Sequence, residues 1–150
     1  MRTGCGFRLG LVFALSAASP ALADTSPAPV GQDASAEAAE RQRLNNAFEL
    51  AGQGKASEAE AIFSAVIADY DRKAQPGMSY RCADNAAHGL ETLFAAVAEK
   101  PDQSVILLGP NWCDALFGEG FVLIDLNRAN EAKAFLARAV EMAPDRKSVV

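Results

Sequence analysis

Apolar residues recur in two stretches of the chain with the same rhythm. Ala59, Ile62, Phe63, Val66, Ile67 and Tyr70 follow one another in steps of 3, 1, 3, 1 and 3, and Ala132, Phe135, Leu136, Ala139, Val140 and Ala143 repeat those steps. Such steps return to one side of a 3.6-residue helix, so each set predicts an amphipathic helix. The two sets lie 73 residues apart, and the match extends upstream. Gly54-Lys55-Ala56-Ser57-Glu58-Ala59 aligns with Asn127-Arg128-Ala129-Asn130-Glu131-Ala132, and Ala47 and Leu50 align with Gly120 and Leu123. The chain therefore encodes two copies of helix, short turn, helix.

The turns have their own chemistry. Gly54 and Asn127 tolerate the left-handed conformation that ends a helix, and Ser57 and Asn130 are the expected N-caps of the helices that follow. Small residues at Ala47 or Gly120, and at Ala59 or Ala132, let the two helices of a hairpin approach. Pro144 stops the last helix.

These residues resemble the tetratricopeptide repeat family. Cys113 to Arg146 spans 34 residues, the period of that repeat, with Gly120, Leu123, Ala132, Leu136, Ala139 and Pro144 at the family's small, large and terminating positions. Glu119 departs from the usual Leu, and Leu116 from the usual Trp. The first copy, Glu40 to about Lys73, keeps Ala47, Leu50, Gly54, Ala59 and Phe63 but lacks the final proline. The resemblance implies an all-α fold, a short right-handed α-α superhelix of helical hairpins. It implies no reaction, because the family shares an architecture.

An offset of 73 is close to two periods with about five residues inserted, which predicts a degenerate repeat between the copies. Tyr80 to Glu99 fits a helix, with Cys82, Ala86, Leu90, Leu93, Phe94 and Val97 on one face. Lys100-Pro101-Asp102 ends it, and Ser104 to Leu108 is a short apolar run before Gly109-Pro110-Asn111 opens the next helix. That run is expected to be an extended or irregular crossover replacing the second helix of the middle repeat.

The N-terminus changes the domain count. Arg2 and Arg8 precede an apolar stretch from Leu9 to Ala18, and Ala21-Leu22-Ala23 is a small-x-small cleavage pattern. Residues 1–23 are expected to be a signal peptide removed after Ala23, which directs export to a periplasm or the exterior. The apolar stretch is too short for a stable membrane anchor. Residues 24–36, rich in Pro, Ser and Gly, read as a disordered leader. The helical domain is then 37–146, with a C-terminal tail at 147–150. The full chain of 150 residues carries a net charge of −5, and losing Arg2 and Arg8 shifts it to −7. That balance excludes a nucleic-acid partner.

After export two cysteines remain, Cys82 and Cys113, 31 residues apart. First helices of successive tetratricopeptide repeats lie parallel, and each cysteine falls in the opening turn of such a helix. The resemblance thus implies one disulfide; two buried free thiols are the alternative. A metal site or thiol enzyme using Cys82, Cys113, His88 and Asp84 is the weaker option, because there is no CxxC pair and no second histidine. His88 reads as a polar helix flank. No catalytic residue, metal site or cofactor is expected.

In this architecture the first helices line a concave side, which places Arg41, Leu44, Phe48, Asp114, Phe117, Phe121 and Ile124 on a groove for a peptide or protein partner. The alternative is that these aromatics only pack within the domain. Trp112 reads as a staple over a helix start, or else as an exposed anchor. The last hairpin has no polar capping helix after it, so self-association through it, or a longer array, is a further expectation. The functional expectation is a non-enzymatic protein–protein interaction module. A structural subdomain of a larger assembly, without a groove, is the alternative.

Overall fold

The computed structural model describes residues 34–144. The expected signal peptide 1–23, the leader up to residue 33 and everything after residue 144 lie outside the described residues. Five helices and two short strands follow in the order α1 (Ala34–Gly52), α2 (Ala56–Lys73), β1 (Ser79–Cys82), α3 (Ala86–Glu99), β2 (Val105–Leu108), α4 (Asn111–Asp125) and α5 (Ala129–Met142). The described part is thus mostly helical. Residues 34–36, expected in the leader, already belong to α1, where Ala34 and Ala36 favour the helix.

The two hairpins are α1–α2 and α4–α5, and their turns are built alike. Gly54 and Asn127 take positive φ values of 76° and 60°. In the first turn Lys55 N–H donates to Leu50 C=O (3.0 Å) and Gly54 N–H to Ala51 C=O (2.9 Å); in the second Arg128 N–H donates to Leu123 C=O (2.8 Å) and Asn127 N–H to Ile124 C=O (2.9 Å). Both are Schellman ends, which satisfy the last carbonyls of one helix while reversing the chain. The next helix starts sooner than expected. Lys55 and Arg128, not Ser57 and Asn130, hold the N-cap positions, and neither caps with its side chain.

No repeat lies between the hairpins. Helix α4 packs directly against α2 and α5 and also touches α1. Two glycines make this approach possible. A Cβ on Gly118 would fall 2.4 Å from the Phe63 ring of α2, and one on Gly120 would fall 2.5 Å from Leu136 of α5. The core between the hairpins holds Leu44, Ala47, Ala59, Phe63, Val66, Ala115, Leu116 and Val122.

Residues 74–110 form an inserted β-α-β arm in place of the expected degenerate repeat. Strands β1 and β2 pair in parallel, Ser79 with Val105 through Cys82 with Leu108, and α3 makes the crossover. The apolar run at Val105–Leu108 is extended, as expected, whereas Tyr80–Cys82 is a strand and not the start of a helix. Helix α3 begins only at Ala86, where the Asn85 side chain accepts a hydrogen bond from His88 N–H (3.0 Å). Alternation along the strands turns Tyr80, Cys82 and Leu108 towards the helical core. On the other side α3 buries Gly89, Thr92 and Ala96, so the face carrying Leu90, Phe94 and Val97 points outward.

Cys82 and Cys113 form a disulfide with Cα atoms 6.3 Å apart. The route differs from the one expected of parallel helices. Cys82 ends β1 opposite Leu108 of β2, and the chain leaves Leu108 through Gly109-Pro110 straight into α4, whose first turn carries Cys113.

Two changes test this packing. Gly118→Ala should destabilise the fold by about 1–3 kcal/mol, since the buried Phe63 ring has to move. Cys82→Ala with Cys113→Ala should remove about 3–4 kcal/mol, the loop-entropy figure for a bridge of this span. Urea unfolding followed by circular dichroism measures both, and an unchanged midpoint in either case would contradict the assigned contacts.

Candidate functional site

Three consecutive residues at the start of α4 tie the molecule together. The Asn111 side-chain amide donates to Glu37 C=O (3.2 Å) and to Glu40 Oε1 (3.1 Å) on α1. Trp112 is buried and stacks on Tyr70 of α2, with ring centroids 5.0 Å apart and planes 8° from parallel. Tyr80 of β1 meets the same indole edge-on at 5.3 Å, and the Arg138 guanidinium of α5 lies 4.7 Å from its centroid. Cys113 then adds the covalent bond to β1. Trp112 is therefore an internal junction and not an exposed anchor. The Tyr70 hydroxyl donates to Glu40 Oε1 (2.6 Å), and burial, followed by that carboxylate, pushes its pKa well above the ordinary phenol value.

The expected groove residues sit on neighbouring helices, α1 and α4, but not all face outward. Arg41 and Asp114, 73 residues apart and equivalent in the repeat, form a salt bridge to one another. Their charges are thus directed across the α1–α4 contact. Leu44 is a correction: it has no exposed surface, because its side of α1 is covered by α2 and α4. Phe48, Phe121 and Ile124 are 41%, 48% and 46% exposed. Phe48 rests edge-on against Phe63 at 4.9 Å, and Phe121 against Phe117 at 4.7 Å. Phe117 is half-buried and also packs on the core. What remains is an apolar stripe of Phe48, Phe117, Phe121 and Ile124. Phe48 and Phe121 are again equivalent at the 73-residue offset.

On the opposite side of α4, Glu119 is a buried carboxyl. It accepts a hydrogen bond from Ser64 Oγ (2.8 Å), while its Oε2 has no protein partner. Burial, the largest cause, raises its pKa, and the nearby Glu60 and Glu131 charges act in the same direction against Ser64 and Arg128. Arg128 bridges Glu60 and Glu131 at the surface beside it. The departure from Leu at this position was visible in the sequence; its burial was not.

The two sulfurs are engaged with one another, and His88 Nδ1 accepts from Asp84 N–H (3.3 Å) beside the Asp84 carboxylate. His88 is thus part of the α3 start. On α5 the large apolar side chain left exposed among the described residues is Val140, at 39%. Among the described residues no helix is long and apolar enough to cross a membrane. No family model, curated protein or solved structure matches the chain.

Glu119 gives a pH test. Its raised folded-state pKa means the folded protein holds this proton more tightly than the unfolded chain does. That stabilisation is fully present below the ordinary carboxylate pKa and is lost as pH rises through the raised value. Wild-type stability relative to Glu119→Gln should therefore increase as pH falls from neutral towards the ordinary carboxylate range. Urea melts of both proteins across that range measure the difference, and a difference that does not vary with pH would refute the assignment.

Proposed function

We propose that the chain is a divergent, exported tetratricopeptide-like module that holds a peptide or protein partner against α1 and α4, without catalysis. The observation that carries this reading is the equivalence of Phe48 and Phe121. Two copies of the hairpin leave an aromatic exposed at the same position, on neighbouring helices joined by Arg41–Asp114. A single exposed aromatic is ordinary on a protein surface, but exposure at the equivalent position of both hairpins, beside Phe117 and Ile124, supports a surface on which a bound segment could anchor.

The repeat-like part of the proposal is supported by the paired Schellman turns and by α4 packing against both α2 and α5. In this reading the described residues contribute two hairpins of the superhelix, and the β-α-β arm is an insertion between them. Export is supported by the pattern in residues 1–23 together with a disulfide that an oxidising compartment would preserve. The acidic balance of the chain remains unfavourable for nucleic acid.

A photo-crosslinking amino acid at position 124 tests the reading in the producing cell. It should trap one predominant protein. Phe48→Ala combined with Phe121→Ala should lower that yield by about tenfold or more while the protein still folds cooperatively. Equal trapping by the double variant would eliminate this face as the binding surface, and the structural-subdomain alternative would then be preferred.

A further inference from the structure

On α3 the usual relation between size and burial is reversed. Leu90, Phe94 and Val97 are 57%, 72% and 47% exposed, and Leu107 of β2 beside them is 40% exposed. Gly89, Thr92 and Ala96 are buried against the strands instead. A helix whose whole task was to cover the sheet would turn its large residues inward. The inward side is too close for that, since a Cβ on Gly89 would lie 2.6 Å from a Leu107 methyl. Ala86, Ala87 and Ala98 extend the outward face, and they too are exposed. The stripe of Leu90, Phe94 and Val97 carries no charge; Glu91 borders the face on the side of Ala87 and Ala98, and Glu99 lies about 180° round the helix from Leu90.

We infer that this face is an interface between two copies of the chain, with α3 packing antiparallel on α3 of the second copy about a two-fold axis. Area is the first argument. Taking roughly 200 Å² for a fully exposed Phe and somewhat less for Leu and Val, the four side chains leave on the order of 400 Å² uncovered per copy. Burying that area twice gives about 800 Å², and the exposed alanines with their polar rim bring the total towards the roughly 1,200–2,000 Å² of a stable complex. A patch of this size on one short helix is already as large as a typical monomer's largest.

Spacing is the second argument. Ala87, Leu90, Phe94 and Val97 follow the three-four rhythm with which helices interlock along a seam. A two-fold axis level with residue 92 sets Leu90 of one copy against Phe94 of the other, and Ala87 against Val97. The surface is then self-complementary, as an isologous contact requires. Charge is the third. The seam residues Ala87, Leu90, Phe94 and Val97 carry no charge, and Glu91 of each copy stays at the exposed rim, where water screens the two carboxylates from one another. A membrane-surface helix carries Lys or Arg along its polar flank, and α3 has neither. An unlike protein is offered no charged group within the seam by which to be selected.

Sedimentation velocity of the purified chain tests the inference. The wild type should sediment as a dimer at about 10 μM. Phe94→Asp replaces a mostly exposed side chain and should give a monomer of unchanged helical circular dichroism; Phe94→Ala should weaken the dimer by about tenfold or more. Phe121→Ala should remain dimeric, which keeps this face separate from the one on α1 and α4. A wild type that stays monomeric at about 100 μM would overturn the inference. So would a dimer that survives Phe94→Asp, or a monomeric wild type that floats with phosphatidylcholine vesicles.

Discussion

The segment Asn111-Trp112-Cys113 is the constraint on which the other contacts depend. A two-stranded sheet of four-residue strands is marginal by itself. Here it is held because Tyr80 leans on the indole of Trp112 and Cys82 is bonded to Cys113. The same indole receives Tyr70 from α2 and Arg138 from α5, and the residue before it is bonded to α1. One helix start thus sets the positions of both hairpins and of the arm. Because the three residues are consecutive, a shift in one contact moves the others, so this end of α4 is specified by several elements at once.

That junction explains how the long segment between the two helical hairpins leaves them packed against each other. The arm leaves the first hairpin after Lys73 and returns at Asn111, beside the α1 and α2 residues that Asn111 and Trp112 touch. The parallel crossover ends β2 at Leu108 beside Cys82, and the chain then turns into α4, where Trp112 stacks on Tyr70 near the end of α2. The glycines at 118 and 120 then let α4 settle between α2 and α5 as a direct neighbour would.

The hairpins were legible in the sequence because each carries two independent signals, a 3.6-residue apolar rhythm and a residue able to take positive φ. The arm was not, for reasons of length. Residues 74–110 nearly match one 34-residue period, so an inserted arm and a degenerate repeat give the same offset. Tyr80-Arg81-Cys82 is too short for its period to be read, and its pairing partner lies beyond the crossover. The Cys82–Cys113 pairing was anticipated through the wrong neighbours, since the strands and not parallel helices bring the sulfurs together. At the candidate site, the tetratricopeptide resemblance places Phe48, Phe121 and Leu44 together on one groove; the two phenylalanines are exposed but Leu44 is buried. Its equivalent in the second copy is Phe117, half-buried, whereas Leu44 is closed over by two helices. Of the face read on α3, Leu90, Phe94 and Val97 do share an outward side, but Cys82 belongs to β1 and Leu93 is half-buried; which way the face points depends on the sheet beneath it.

Among the described residues, two of the places with exposed large apolar side chains differ in kind. On α1 and α4 they stand between helices, flanked by a salt bridge, in a form suited to an extended segment. On α3 they form an apolar ridge along one side of a short helix. The disulfide links the two, because it joins the strand under α3 to the helix bearing Phe117 and Phe121. In a two-copy assembly through α3 this covalent tie would give the two α1–α4 faces a defined relative orientation. A partner with two copies of the recognised segment would then bind the second face at a raised effective concentration, provided its spacing matches. In that assembly, opening the disulfide would loosen the geometry of the two faces relative to one another, so the bond would bear on assembly as well as on stability.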